Sequence, residues 1–302
     1  MTQALDTTYS RFASDPAYVD ANEGYVRRLP LGRVTRILDL CGGTGAVGQL
    51  ILEAAAPEAS LYEIDLDPVQ IDLAAQNYSQ LGYAVRQIGA PDLSYAPKAR
   101  SVTLQLGSAT DLPFADGTFD CVNIANAIHL IGEKERLVGD ISRVLRPGGV
   151  FAFNTGFYAG CWPPLTHQVY FEWVKEAVAW IARRSVEQVA AGGAPIKRQR
   201  VKSQVSAVAF QNRWVTLDEW RTLLGKYGLD VRHLAERPVS FDQHSLAAVG
   251  SYSGLVEAQL SGYPVEIAVQ ALAGTAAAAL EGAGVSSVQH NWLEACSIKR
   301  GD

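Results

Sequence analysis

The fold is decided by the stretch from Val34 to Asp65, which reads VTRILDLCGGTGAVGQLILEAAAPEASLYEID. A short apolar run leads into a glycine-rich turn, then into a segment with the apolar spacing of a helix, and then into a second apolar run. Pro57 ends the helix, because proline lacks the amide hydrogen that a helix interior requires. The pattern therefore predicts a strand, a turn, a helix and a second strand, which is a βαβ unit.

Strand-like and helix-like segments continue to alternate up to about residue 155. The expected elements are helices over about 68–81 and 134–145 and strands at SVTLQLG, FDCVNIANAI and VFAFNTG. The stretch 82–100 is rich in Gly, Pro and Ser and is expected to be a loop. Sustained alternation implies a parallel sheet with right-handed crossovers, so the predicted fold class is α/β with a doubly wound, Rossmann-like sheet.

After residue 155 the alternation stops, and an aromatic, helical segment follows. Thr216 precedes Glu219 at capping-box spacing and predicts the start of a later helix, while SVQHNWLEACSIK is expected to be the last strand. The expected divisions are N-terminal cap helices over 1–30, a Rossmann-like core over 31–156, an aromatic and helical cap insertion over 157–215, and C-terminal sheet strands over 216–302 with a helical insertion at 240–285.

Composition limits the classes of function. The 302 residues are 48% hydrophobic and 19% charged, which favours a globular protein with a sizeable core. A formal net charge of -5 argues against nucleic acid as a partner, because binding phosphates requires an excess of Lys and Arg. The four cysteines and five histidines are scattered without ligand or disulfide spacing, so we expect no metal site.

Location and assembly are predicted only coarsely. The first 22 residues show no basic start followed by an apolar run, so a cytoplasmic location is expected. The longest apolar stretch, 264–283, is interrupted by Glu266, Gln270 and Glu281, which predicts a buried or lid helix and no stable membrane insertion. We expect a monomer or a homodimer.

The glycine-rich turn and an acid that follows it predict a ligand site. In Cys41-Gly42-Gly43-Thr44-Gly45 the glycines allow a ligand to approach the backbone and the amides of the next helix. Asp65 ends the second strand about twenty residues later, where a carboxylate can accept hydrogen bonds from ribose hydroxyls. Gly43, Gly45 and Gly48 also satisfy the dinucleotide pattern, so NAD remains an alternative at this point.

Four motifs occur together in a fixed order: DLCGGTG, ID, GSATDLPFADGTFD and RVLRPGG. In this order the sequence resembles the class I S-adenosylmethionine-dependent methyltransferases, most of all the branch that contains the ubiquinone and menaquinone methyltransferases. The resemblance covers Tyr9 to about Thr155 well and 157–285 only loosely. It implies a class I methyltransferase sheet with a mostly helical cap, and S-adenosylmethionine as the cofactor.

The resemblance also assigns cofactor-binding roles. Asp39, Gly43 and Gly45 match the turn that receives the methionine end, Asp65 matches the ribose acid, and Leu66 is expected beside the adenine. The full predicted set is Asp39, Cys41, Gly42, Gly43, Gly45, Asp65, Leu66, Ser108, Ala109 and Asn126.

Two positions depart from the family pattern. Ser108 stands where an acid is usual, and it can still accept a hydrogen bond. Cys41 replaces the usual first glycine, which suggests that the backbone there needs no positive φ. We expect Cys41 to be a packed side chain, since no base lies near it in the sequence.

The methyl acceptor site is predicted from residues near the ends of strands. His129, just past the fourth predicted strand, and His167 are the candidate general bases, and the alternative for each is a structural histidine. The candidate substrate-contacting aromatic residues are Tyr9, Tyr18, Phe157, Tyr158 and Trp162.

The sequence thus predicts an S-adenosylmethionine-dependent methyltransferase that acts on a small, largely apolar or aromatic molecule, with O-methylation favoured over C- or N-methylation. The alternatives are a nicotinamide-dependent oxidoreductase and a cofactor-retaining binding protein or cyclase. A mobile aromatic lid over the acceptor is expected as well.

Overall fold

The structure is a computed structural model that describes residues 13–89, 97–199 and 214–301. The chain forms two compact units. The sheet unit contains Asn22–Ala159, Trp214–Arg237 and the described part of Trp292–Asp302. The helical unit takes its described residues from Met1–Ala21, Gly160–Arg213 and Pro238–Asn291.

The strands form one sheet in the order β3-β4-β2-β1-β5-β6-β8-β7. They are β1 Arg36–Leu40, β2 Ser60–Asp65, β3 Ala84–Ile88, β4 Ser101–Leu106, β5 Phe119–Ala125, β6 Leu145–Thr155, β7 Leu229–Asp242 and β8 Ser287–Lys299. The first six strands pair in parallel, and β8 runs antiparallel to β6. This sheet confirms the doubly wound, Rossmann-like α/β fold that the sequence predicts.

Nine α-helices lie within the described ranges. They are α1 Pro16–Val26, α2 Ala46–Ala54, α3 Pro68–Gln80, α4 Lys134–Val144, α5 Pro164–Ala190, α6 Leu217–Lys226, α7 Gln243–Val249, α8 Ser253–Gln259 and α9 Val265–Gly282, with a 3-10 turn at Ile128–Leu130. Asp67 caps α3 by accepting a hydrogen bond from the Val69 amide. Thr216 and Glu219 form the expected capping box at the start of α6.

The order of the strands positions a ligand site. Strand β1 pairs with β2 on one side and with β5 on the other, so the winding of the sheet reverses at β1. Ligands of open α/β sheets bind outside the carboxyl ends of the strands at such a reversal. The side chains of Ile37 and Leu38 in β1 and Leu61 in β2 are completely buried, which fixes these strand ends on a rigid base.

One expectation about the sheet is wrong. The stretch 82–100 was expected to be a loop, yet Ala84–Ile88 forms strand β3, which pairs in parallel with β4 at the edge of the sheet. Its sequence, AVRQI, carries mostly exposed side chains, so it lacks the apolar run that marks a buried strand. Hydrogen bonds to β4 therefore define this strand, rather than apolar burial.

In the helical unit, α5 packs against α9 around Trp173. The indole of Trp173 is completely buried, and its Nε1–H donates to the backbone oxygen of Leu272 at 2.8 Å. The alanines that α9 buries, among them Ala268, Ala271 and Ala276, allow this close approach. Among the helices that the structure describes, none combines the length and the apolar character needed to cross a membrane.

Replacing Trp173 by alanine should destabilise the helical unit by about 3–5 kcal/mol, because the substitution leaves a cavity and removes the indole hydrogen bond to the Leu272 carbonyl. The matched control is Phe171→Ala on the same helix, where the ring is 70% exposed; its cost should stay within about 0.5 kcal/mol. Chemical denaturation of both variants measures the two costs. Equal costs would contradict the assignment of Trp173 to the core.

Candidate functional site

The turn between β1 and α2 reverses the chain sharply. Cys41, Gly43 and Gly45 have φ angles of 56°, 62° and 78°. The expectation that the backbone at Cys41 needs no positive φ is therefore wrong. A left-handed conformation costs a non-glycine residue about 1–2 kcal/mol, and the Cys41 amide, which donates to the Ile64 oxygen at 2.7 Å, helps to hold it.

The glycines of this turn face different surroundings. A β-carbon on Gly42 would lie 2.4 Å from Cδ of Glu63, and one on Gly45 would lie 2.6 Å from Cε2 of Tyr78. A β-carbon on Gly43 would meet nothing closer than Oε1 of Gln70, at 3.8 Å. Gly42 and Gly45 are thus required by protein packing, whereas Gly43 leaves open space through which a ligand can approach the backbone.

Asp65 joins this turn to the end of β2. Its Oδ2 accepts a hydrogen bond from the Gly43 amide at 2.9 Å, and its Oδ1 accepts one from the Asp67 amide at 2.9 Å. Partial burial raises the pKa of the carboxyl above its usual value. The side chain of Leu66, the predicted neighbour of adenine, is 71% exposed. Such an exposed leucine is available for contact with a flat apolar ring.

Asp39 lies under the turn on β1 and is almost completely buried. Its Oδ1 accepts a hydrogen bond from Nδ2 of Asn123 on β5 at 2.7 Å, and the hydroxyl of Tyr25 on α1 donates to Oδ1 of the same asparagine at 2.7 Å. Burial raises the pKa of the Asp39 carboxyl, and the nearby charge of Asp65 raises it further. Asn123 and Tyr25 were missed at the sequence level, because nothing in their spacing connects them to Asp39.

A second buried carboxyl, Glu63, lies directly beneath Gly42. Its Oε2 accepts a hydrogen bond from the hydroxyl of Tyr78 on α3 at 2.8 Å. Burial raises the pKa of Glu63 well above its usual value, and Asp39 contributes to the rise. Sequence reasoning also missed this pair. The signal that could have revealed it is the lone acid inside the otherwise uncharged start of β2, SLYE.

Three more predicted cofactor-binding residues lie just beyond the carboxyl ends of β4 and β5. The Ser108 hydroxyl accepts a hydrogen bond from the Thr110 amide at 3.2 Å, and Ala109 is buried. Asn126 adopts a φ of 55°, and its side chain donates to Oδ1 of Asn22 at 3.2 Å. Asn154 donates to the same Asn22 oxygen at 2.8 Å, so the C-terminal end of α1 is bonded to the ends of β5 and β6.

His129 lies just beyond β5 beside aromatic rings. Its Nδ1 is 3.0 Å from Oγ1 of Thr155, and its ring centroid is 4.5 Å from that of Phe157. Phe157 in turn lies 6.2 Å from Trp214, a residue that the sequence analysis did not single out. Burial, aided by the charge of Lys134, lowers the pKa of His129 to about 3, so the imidazole is neutral at physiological pH.

The other predicted acceptor-site residues that the structure describes are divided between the two units. Tyr158 is completely buried in the sheet unit. In the helical unit Tyr18 is buried, while Trp162 stacks on Tyr170 with centroids 4.8 Å apart and meets the exposed His167 edge-on at 5.2 Å. Tyr9 lies outside the described residues. The catalytic and substrate roles of these residues stay predictions.

Comparison with known proteins finds a family match within the sheet unit. Residues 38–153 match the family described as "Methyltransferase domain". This range begins in β1, includes the turn and Asp65, and ends in β6.

Two relatives with assigned activities agree with this match. The demethylmenaquinone methyltransferase of Thermus thermophilus is 29% identical over 67% of this chain and 83% of its own length. The ubiquinone/menaquinone biosynthesis C-methyltransferase UbiE of Geotalea daltonii is 27% identical over 50% of this chain. The chain spans only 54% of the length of that second relative.

A solved structure shows the same fold. A candidate methyltransferase from Bacillus halodurans C-125 superposes with a TM-score of 0.55 at 14% identity, covering 93% of this chain and all of that one. The chain is thus similar to class I S-adenosylmethionine-dependent methyltransferases, and the relatives it matches include ubiquinone and menaquinone methyltransferases. The cofactor of these methyltransferases is S-adenosylmethionine.

The packing beneath the turn can be tested through Gly48 on α2. A β-carbon there would lie 2.2 Å from the Tyr78 hydroxyl, so Gly48→Ala should destabilise the protein by about 1–3 kcal/mol through overpacking. In a Tyr78→Phe background, which removes that hydroxyl, the cost of Gly48→Ala should fall. Denaturation of the four proteins of this cycle measures the coupling.

The control for this cycle is Gly225→Ala on α6, where a β-carbon meets nothing within 4 Å. This change should stabilise the protein by about 0.5–1 kcal/mol through helix propensity. Equal costs of Gly48→Ala in the two backgrounds would show that Tyr78 does not limit the space at Gly48.

Proposed function

We propose that the chain transfers the methyl group of S-adenosylmethionine to a small, largely apolar or aromatic molecule. The observation that carries this proposal is the open face of Gly43 next to the Asp65 carboxylate, at the reversal of the sheet. An open backbone and a carboxylate at the end of the second strand suit a ligand that carries a ribose. The buried Asp39 adds an acceptor oxygen, Oδ2, without a hydrogen-bond partner among the described residues.

Each of these residues has a distinct task in binding. The Asp65 carboxylate would hold the ribose hydroxyls and Leu66 would cover the adenine, while the Ser108 hydroxyl would accept one hydrogen bond from it. Gly43 would leave room for the methionine end, with Asp39 beneath it. The cofactor supplies a methyl carbon bonded to a positively charged sulfur. Holding the acceptor in line with that carbon, away from water, is then the main contribution of the protein.

His129 is the residue we propose to receive the acceptor proton. When its Nδ1–H donates to Thr155, the lone pair on Nε2 is left to accept a proton. The neighbouring rings of Phe157 and Trp214 favour an aromatic acceptor, since aromatic rings pack edge-on or offset against one another. The imidazole is unprotonated at neutral pH and so is free to accept a proton, but burial disfavours its cation. The negative charge that develops on the acceptor oxygen would therefore raise the pKa of His129 during transfer.

The atom of the acceptor that receives the methyl group is the most specific part of this proposal. O-methylation is the expectation from the sequence, whereas the Geotalea relative is named as a C-methyltransferase and the Thermus relative is named as a demethylmenaquinone methyltransferase. We therefore propose a hydroxyl-bearing aromatic ring as the acceptor, with a ring carbon as the methylated atom and the hydroxyl oxygen as the alternative. Mass spectrometry and NMR of the methylated product distinguish the two. The cytoplasmic location and the monomeric or homodimeric state stay predictions.

Two other classes of function make different predictions for ligand binding. A nicotinamide-dependent oxidoreductase would bind NADH, whereas a methyltransferase would bind S-adenosylhomocysteine. A cyclase or binding protein would bind the cofactor and transfer no labelled methyl group to any acceptor. Calorimetry with both ligands, followed by methyl transfer to a panel of hydroxylated aromatic molecules, separates the three classes.

Replacing Asp65 tests the cofactor site. Asp65→Ala should weaken S-adenosylhomocysteine binding by about 1.5–3 kcal/mol through lost charge-assisted hydrogen bonds. Asp65→Asn can still accept the Gly43 amide hydrogen, so its loss of affinity reports the ligand contact more directly. Asp72→Asn, which changes an exposed carboxylate on α3, is the control. Unchanged affinity in both Asp65 variants, measured by calorimetry, would refute the ribose assignment.

Replacing His129 tests the acceptor side. His129→Gln should lower kcat by about 10²- to 10⁴-fold, the usual contribution of a general base, and leave the Kd of S-adenosylhomocysteine unchanged. Because the pKa of His129 is about 3, the wild-type pH profile should show no histidine titration near pH 6.5. The control is His244→Gln, an exposed imidazole on α7. Full activity of His129→Gln would leave that residue a structural role only.

A further inference from the structure

Two carboxyl groups lie side by side in the interior beneath the turn. Asp39 on β1 and Glu63 on β2 are register partners in neighbouring parallel strands. Their exposed fractions are 1% and 0%. Both are close to the turn and to α2, because a β-carbon on Gly42 would meet Glu63 at 2.4 Å and one on Gly48 would meet Oδ2 of Asp39 at 2.9 Å. The pair therefore forms the floor of the proposed cofactor site.

Each carboxyl is satisfied on one oxygen only. Asn123 donates to Oδ1 of Asp39, and Tyr78 donates to Oε2 of Glu63. The other two oxygens, Oδ2 of Asp39 and Oε1 of Glu63, are buried without a hydrogen-bond partner among the described residues. Burying two ionised carboxylates in this way is costly, because each loses its hydration and repels the other. Retaining a proton on the pair removes one of these charges.

The described surroundings of the pair offer no compensating positive charge. The titratable groups that act on the pair are Asp65 at the end of β2, Cys41 in the turn, Tyr78 on α3, Tyr25 on α1 and Cys121 on β5. All of these are neutral or negatively charged. Within the part of the chain that the structure describes, neither Asp39 nor Glu63 forms an ion pair with Lys, Arg or His. Burial raises both pKa values, and the charge of Asp65 raises them further; the charge of Asp39 adds to the rise at Glu63.

We propose that the Asp39–Glu63 pair holds a proton in the ligand-free protein and releases it when a cationic cofactor binds at the turn. This inference rests on the proposed function. S-adenosylmethionine carries a sulfonium charge that S-adenosylhomocysteine lacks, so the two ligands differ by one positive charge at the sulfur. In a site of low dielectric that charge stabilises the ionised pair. The pair thereby becomes a specificity-determining element that distinguishes substrate cofactor from product.

The proposal predicts that the affinity for a cationic ligand rises with pH. A ligand that favours the deprotonated pair binds more tightly as the pH rises, up to the pKa of the pair in the ligand-free protein. The affinity for S-adenosylmethionine relative to S-adenosylhomocysteine should therefore increase with pH, by at most about tenfold per pH unit for one full proton. After methyl transfer the sulfur is neutral, and uptake of a proton from solvent by the pair favours release of the product.

The experiment is calorimetry of each ligand at neutral pH in buffers of different ionisation enthalpy, which counts the protons released on binding. S-adenosylmethionine should release more protons than S-adenosylhomocysteine, and the difference should shrink in Glu63→Gln and Asp39→Asn. Glu53→Gln, an exposed carboxylate on α2, is the control and should keep the wild-type difference. The wild-type comparison is decisive even if one of the buried variants does not fold.

Three outcomes overturn the inference. Equal proton release for the two ligands in the wild type refutes it while leaving the proposed function intact. An undiminished difference in both folded variants assigns the proton to another group. Absence of binding for both ligands refutes the proposed function, and this inference with it.

Discussion

The hydrogen bond between Tyr78 and Glu63 is the contact on which the geometry of the turn depends. It brings the tyrosine ring under Gly45 and Gly48 and keeps the carboxyl under Gly42. No side chain fits at these glycine positions, and the absence of side chains lets the backbone of the turn and of α2 pack close to β2. Asn77 of α3 adds a hydrogen bond to the Thr44 oxygen at 3.0 Å, so helix α3 holds the turn from the same side.

This arrangement has an electrostatic consequence. The floor of the site contains Asp39 and Glu63, and its rim contains Asp65, so three carboxyl groups converge on one turn. A cluster of this kind reduces the stability of the folded protein, because each carboxyl is partly or fully dehydrated. The same cluster is complementary to a positively charged ligand. The cluster thus lowers stability at the proposed cofactor site, and the surrounding apolar core compensates for this cost.

A buried carboxylate, Glu294, joins segments of the sheet unit that are distant in the sequence through ion pairs with more exposed arginines. Glu294 of β8 is almost completely buried and accepts a hydrogen bond from Nε of Arg28 at 2.9 Å, with Arg237 of β7 at 3.7 Å. Arg28 follows α1, which presents Asn22 to the ends of β5 and β6. One carboxylate therefore connects the first helix to the last two strands, and through them to the rim of the site.

The sequence by itself determined the βαβ unit and the alternation of strands and helices around it, apart from β3. It also determined the capping box at Thr216 and the position of the turn with its acid, Asp65, because these features depend on turn and capping chemistry within short stretches. Only the tertiary structure decided which distant residues meet. The positive φ of Cys41 depends on a hydrogen bond to β2, the edge strand β3 depends on β4, and the partners of Asp39 and Glu63 come from β5 and α3. Local patterns specify that a face is buried, but the identity of the residue that covers it depends on how remote segments pack.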